Sequence, residues 1–155
     1  MNGLAVAVDS NLLLLLVVGM TSRDYVEKHK RLKEFTIEDF DLLQEQLSVA
    51  TEIVVTPNTL TETSNLIDHI ADPARAKIYE TLRTLVQSPG AAERYISSAA
   101  AVEYPELPRL GLTDCVLLDA CSTGTPLLTV DLRLYLAAIG RGDKALNFNH
   151  LRDAR

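Results

Sequence analysis

Leu4-Ala5-Val6-Ala7-Val8-Asp9-Ser10-Asn11, continuing into Leu12-Leu13-Leu14-Leu15-Leu16-Val17-Val18, carries most of the information about the fold. The first five residues are apolar and rich in Val and Ala, as a strand buried on both faces requires. Asp9-Ser10-Asn11 are helix-capping residues, so the chain leaves the strand and enters a helix at once. The following apolar run has no polar face, which predicts a helix covered on most sides. It falls short of the roughly 20 apolar residues a membrane-spanning helix needs. No Lys or Arg precedes it and Asp9-Ser10-Asn11 interrupts it, so it does not read as a signal peptide either.

The same strand-then-acid pattern returns near the other end, where Leu127–Val130 runs into Asp131. Between them, Glu52–Thr56 is a β-branched strand stopped by Pro57, which suits the first turn of a helix carrying Leu60, Leu66, Ile67 and Ile70. Arg23–Glu34 is strongly charged and predicts a helix. Thr36-Ile37-Glu38-Asp39 has the character of a capping box that opens a further helix to about Leu47. A helix from Asp72-Pro73 to Val86 ends at Ser88-Pro89-Gly90, and Arg94–Ser98 predicts a short strand. Tyr104–Arg109, with two prolines, predicts a loop, and Thr113–Cys121 a helix with Thr113 or Asp114 near its cap. After Leu127–Val130 come a helix over Leu132–Ile139, closed by Gly140, and a last strand over Ala145–Phe148. Short apolar strands alternating with helices predict an α/β fold in three layers, with a mostly parallel sheet between helices.

A chain of 155 residues fits one domain, with a charged helical insertion or clamp over about residues 20–50. The net charge of -6 argues against coating nucleic acid through bulk positive potential, and leaves room for a nuclease with local contacts. Cys115 and Cys121 are the only cysteines. Six residues apart on one helix they sit roughly 120° from each other, which predicts unpaired thiols in a reducing, cytosolic compartment.

If the apolar runs are parallel strands, Asp9, Glu62, Asp114 and Asp131 collect at the carboxyl edge of one sheet, where open α/β folds place their active sites. Crowded carboxylates repel, and a bound cation offsets that repulsion. Hard oxygen donors suit Mg²⁺ or Mn²⁺ rather than zinc. Each Asp is also a good helix cap, and Glu62 alone reads as a solvated helix residue; a cap at the sheet edge is still free to face a metal. Asp119, roughly 140° around the helix from Asp114, is expected to be partly buried and paired with a basic group. Arg23, Lys28, His29, Lys30, Arg31 and Lys33 form one basic concentration, and Arg133, Arg141, Lys144, Arg152 and Arg155 a second. Either is a candidate for RNA-phosphate contact or a solvated face. His29, His69 and His150 have no spacing that suggests a metal site, and surface or partly buried positions are expected for them.

Asp9-Ser10-Asn11 after a strand, Glu62 early in a helix after a strand, Leu112-Thr113-Asp114 opening a helix and Leu128-Thr129-Val130-Asp131 at a strand end follow one another in a family order. In that order the chain resembles the PIN domain, and most closely the small VapC-type toxins of prokaryotic toxin–antitoxin pairs. The resemblance runs from Leu4 to about Phe148. It implies a pocket of acids, Asp9, Glu62, Asp114 and Asp131, that binds Mg²⁺ or Mn²⁺ and cuts RNA. It further implies support from Ser10, Asn11 and Thr129 at its edge, a homodimer, and a cognate antitoxin covering the pocket. A PIN-like module that binds RNA or protein without cutting, and a housekeeping RNA-processing nuclease, are the alternatives. Other α/β enzymes fit less well. A haloacid-dehalogenase-type phosphatase needs a second Asp where Asn11 stands, a receiver domain needs an Asp where Pro57-Asn58 follow the strand, and no Gly-x-Gly-x-x-Gly, phosphate loop or Gly-x-Ser-x-Gly occurs in a fitting context.

Overall fold

A computed structural model describes residues 4–155. Five strands, β1 (Ala5–Val8), β2 (Glu52–Val55), β3 (Ala91–Glu93), β4 (Leu127–Thr129) and β5 (Ala145–Asn147), form one sheet in the order β3-β2-β1-β4-β5. Every pairing in it is parallel. β1 lies at the centre, paired with β2 on one side and β4 on the other. The chain first works outward through β2 and β3, then crosses back over β1 to β4 and β5. The order therefore reverses between β1 and β4, and it is outside the carboxyl ends of such strands that a crevice opens.

Side chains alternate across the sheet, as the two-residue period demands. Val6, Val8, Val55 and Leu128 enter a core with α1 (Ser10–Thr21), α2 (Ile37–Ser48), α3 (Pro57–Ile67) and α4 (Ala74–Gln87). Ala7, Val54 and Leu127 face the opposite side, against α7 (Leu112–Cys121) and α8 (Leu132–Gly140). Helices on both faces give three layers. Leu12 to Val18 are all buried, because α2, α3 and α4 surround α1. Gly19 on α1 permits the close approach of α2: a Cβ there would lie 2.1 Å from the Phe40 ring. Among the described residues no helix is long and apolar enough to cross a membrane.

The caps follow the expected chemistry. Thr36 and Thr56 each open a helix with a capping box, through Asp39 and Thr59 respectively, and Pro57 sits in the first turn of α3. Four local expectations need correction. Arg23–Glu34 is a run of turns that begins with a single 3-10 turn, Arg23–Tyr25. Val26, His29, Leu32 and Phe35 are buried at every third position, and the His29 ring takes up backbone groups, so the chain winds around buried anchors without forming a helix. His29 is accordingly fully buried, with Nδ1 accepting from Arg31 N at 3.1 Å and Nε2 lying 3.4 Å from the Ile67 carbonyl; burial lowers its pKa. The third strand is Ala91–Glu93, upstream of the expected Arg94–Ser98, and Ser98–Ala101 is the short helix α5, capped by Ser97. Within Tyr104–Arg109, Leu107–Leu110 forms one helical turn, α6, since proline is tolerated in a first turn. A last helix, α9 (Phe148–Asp153), follows β5, capped by Asn147.

Both cysteines are free and buried, and burial pushes the Cys121 thiol up to about 12. Of the C-terminal cations, Arg141 pairs with Glu106 at 3.1 Å, and Arg152 and Arg155 both pair with the buried Asp39.

Candidate metal centre

Asp9 follows β1 directly and caps α1, its Oδ1 accepting from Leu12 N at 2.9 Å. Its Oδ2 accepts from Val130 N at 3.0 Å and from the Thr129 hydroxyl at the end of β4. Thr129 Oγ1 accepts in turn from Asp131 N at 2.9 Å, so one buried hydroxyl ties the ends of β1 and β4 together. Asp131 caps α8 through Oδ1, which accepts from Arg133 N and Leu134 N at 2.8 and 3.2 Å. Two of the four acids are thus helix caps that also stand at the sheet's carboxyl edge.

Asp114 is placed differently from its expected capping role. The cap of α7 is Gly111, whose φ of 84° favours glycine, and Asp114 falls in the first turn with no side-chain cap bond made there. Its carboxyl is left for the space in front of it. Glu62, in the second turn of α3, is exposed.

Asp9, Ser10, Asn11, Glu62, Asp114 and Asp131 line one pocket of about 310 Å³, together with Leu110 to Thr113. The electrostatics reflect the crowding. Burial, then the charges of Asp131, Asp9 and Glu62, push Asp114 up to about 7. Burial also raises Asp9, against the hydrogen bonds from Thr129, Leu12 and Val130 that favour its ionised form. The acids stand around the pocket rather than meeting at a point: among the described residues no three His, Cys, Asp or Glu side chains form a ready-made metal-ligand group. The donor set still suits a hard divalent cation. All four donors are carboxylates, and the ionised form of Asp114 is opposed by burial and by three other acids, with no hydrogen bond to it among the described residues.

Asp119 lies outside this pocket. It lines a separate groove with Arg94 and Tyr95, and makes no ion pair among the described residues. Its neighbour is Tyr104, whose hydroxyl is raised by burial and then by the Asp119 charge. The expected basic partner is a tyrosine because Arg94 spends its guanidinium on the Ala120 carbonyl and the Thr125 hydroxyl, at 2.9 and 2.6 Å.

Two further pockets adjoin the acid pocket. Asn58, Thr61, Glu62 and Asn65 line the first, about 360 Å³, which shares Glu62 and Thr113 with the acid pocket. Their spacing of i, i+3, i+4 and i+7 marks one polar face of α3, a signal present in the sequence. Lys30, Arg31 and Lys33 line the second, about 300 Å³, which shares Asn11 with the acid pocket. Compared with models of known protein families, with curated proteins and with solved structures, the chain matches none.

Proposed function

We propose that this chain is a divalent-metal-dependent endoribonuclease of the PIN type, acting as the toxin of a type II toxin–antitoxin pair in the cytoplasm. The observation that carries the nuclease reading is the single pocket at the sheet's carboxyl edge. Four carboxylates from four separate elements line it, and one of them, Asp114, is pushed up to about 7 by burial and then by the charges of the other three. A chain that needed these acids only as caps would have no use for Asp114 there, since Asp114 caps nothing.

A bound Mg²⁺ or Mn²⁺ supplies positive charge for a phosphodiester and lowers the pKa of a bound water. The chain's own contribution is placement. Asp9, held by three donors from α1 and β4, is a fixed ligand. Asp131 keeps Oδ2 for the pocket while Oδ1 caps α8. Asp114 is the ligand whose charge most needs the cation. Glu62, at the exposed rim, serves to ligate or to hold and orient a water. Thr129 sets the orientation of Asp9, with Ser10 and Asn11 at the pocket's edge.

The order of the acid motifs supports the toxin reading, which brings with it a homodimer and an antitoxin. A small protein encoded beside this chain that co-purifies with it and blocks cleavage is the expected finding, and light scattering reads the homodimer. The decisive experiment is cleavage of structured and single-stranded RNA by the purified protein with Mn²⁺ or Mg²⁺, with chelator, and with Asp114→Asn. Metal-dependent cutting that disappears in the variant is expected. Full activity in the variant overturns the site assignment.

The spread of the four acids around the pocket favours a second reading, a PIN-like module that binds RNA or protein without cutting. Calorimetric titration with Mn²⁺ separates the two. The nuclease gives saturable binding that Asp114→Asn weakens, and the module gives none.

A further inference from the structure

The acid pocket shares Glu62 and Thr113 with one neighbouring pocket and Asn11 with the other, so it adjoins both, with Asn58 and Asn65 at one end and Lys30, Arg31 and Lys33 at another. The two ends differ in chemistry. Amides at one end donate and accept, as base edges require, whereas the other end is cationic.

The cationic end is unusual for this molecule. The chain carries a net charge of -6, yet Lys30, Arg31 and Lys33 stand together beside its acid pocket with only Glu34 among them to oppose. All three are exposed, and none makes an ion pair among the described residues. Among the C-terminal cations Arg141, Arg152 and Arg155 are taken up by Glu106 and Asp39, whereas Arg133 and Lys144 make no ion pair among the described residues. The segment that carries Lys30, Arg31 and Lys33 is also held firmly from below. Val26, His29, Leu32 and Phe35 are buried, Arg152 donates to the Glu34 carbonyl at 2.6 Å, and its guanidinium lies 5.0 Å from the centre of the Phe35 ring. Unpaired cations on a fixed backbone, joined through Asn11 to a cluster of acids, suit a ligand that is itself anionic at regular intervals.

We propose that Lys30, Arg31 and Lys33 hold a phosphate of a single RNA strand next to the phosphate presented to the acids. The strand then runs from the basic pocket past Asn11, across the acids and toward Asn58 and Asn65. This inference rests on the ribonuclease reading and adds the path of the strand to it.

The test is binding of a fluorescein-labelled single-stranded RNA of mixed sequence, measured by anisotropy in chelator so that no cutting intervenes. The double variant Lys30→Gln, Lys33→Gln is compared with wild type and with Arg83→Gln, whose side chain lies on α4 and pairs with Glu80. The expected result is a Kd raised roughly tenfold or more, with the slope of log affinity against log salt smaller by about 0.7, the share of the one phosphate of a single strand that the two lysines no longer help neutralise. Arg83→Gln leaves both unchanged. Because the replaced side chains are exposed, thermal melting should show the double variant folded as wild type.

Affinity and slope equal to wild type in the double variant overturn the proposal and leave the basic pocket to a protein partner. Failure of the wild type to bind the RNA overturns it as well. The ribonuclease reading fails by a different result, absence of metal-dependent cutting by the wild type, and weakened binding in the double variant would still place RNA in the basic pocket.

Discussion

Asp9 and Asp114 face the same pocket under opposite constraints. Asp9 is buried but accepts three hydrogen bonds, whereas Asp114 accepts none among the described residues and is pushed up to about 7. Its ordinary value is 3.8, so the folded chain holds this proton more tightly than the unfolded chain does. Without divalent metal, Asp114's contribution to stability is therefore present at about pH 4 and lost as pH rises to about 7, a loss that lowers the melting temperature by a few degrees between about pH 5 and about pH 8. Asp114→Asn should flatten that dependence and melt higher than wild type at about pH 8. Mn²⁺ should stabilise the wild type more at the higher pH. A variant that melts lower than wild type at both pH values would mean Asp114 has a structural partner after all. Thr129→Val keeps the β-branched shape but removes the hydroxyl shared by Asp9 and Asp131 N. We expect a loss of about 1–3 kcal/mol in urea unfolding, from the buried groups left unpaired, and metal affinity weaker by about 10- to 100-fold in calorimetric titration.

Among the elements, α1 is the one whose packing admits least change. It is buried all round, and Phe40 of α2 lies where a Gly19 side chain would be. Gly19→Ala should cost about 1–3 kcal/mol in urea unfolding despite alanine's better helix propensity, because the ring has to move. A neutral or stabilising result would show that Phe40 has room to turn. β1 and α1 were legible because an unbroken apolar run, an acid and a second apolar run have few other readings, and α2 and α3 because their caps are explicit in Thr36 and Thr56. Arg23–Glu34 was illegible for a physical reason. Buried positions at a spacing of three fit a helix as well as successive turns, and what decides between them is the His29 ring, whose Ile67 partner lies 38 residues away. For the acids, the sequence order indicated which ones share a pocket. It did not indicate that Asp114 caps nothing, since that depends on Gly111 taking the cap at positive φ. The basic pocket was legible only as a run of charge, because its neighbour Asn11 comes from another element.

At the scale of the molecule, the C-terminal helix is what fastens the basic segment and α2 in place. Asp39 is almost wholly buried; burial would raise its pKa, but the Thr36 amide and the guanidiniums of Arg152 and Arg155 hold it below its ordinary value. A depressed carboxylate stabilises the fold above its unfolded pKa and loses that contribution as pH falls through its folded value. The double variant Arg152→Met, Arg155→Met should therefore lower the urea midpoint near neutral pH, by about 1–3 kcal/mol of stability, with the difference from wild type shrinking below about pH 3. An equal loss at both pH values would assign these arginines a packing role instead. The sheet order has its own consequence. Asp9 and Thr129, which share a hydrogen bond, are 120 residues apart in the chain, and β4 must cross back over β1 before they meet. At a synthesis rate of about 5–20 residues per second, a nascent chain emerges for about 6–24 s with β1 made and its β4 partner not yet translated. Through that interval the acid pocket has no second wall, so the chain holds no assembled site for most of its synthesis, and an interrupted translation leaves a fragment that cannot assemble it.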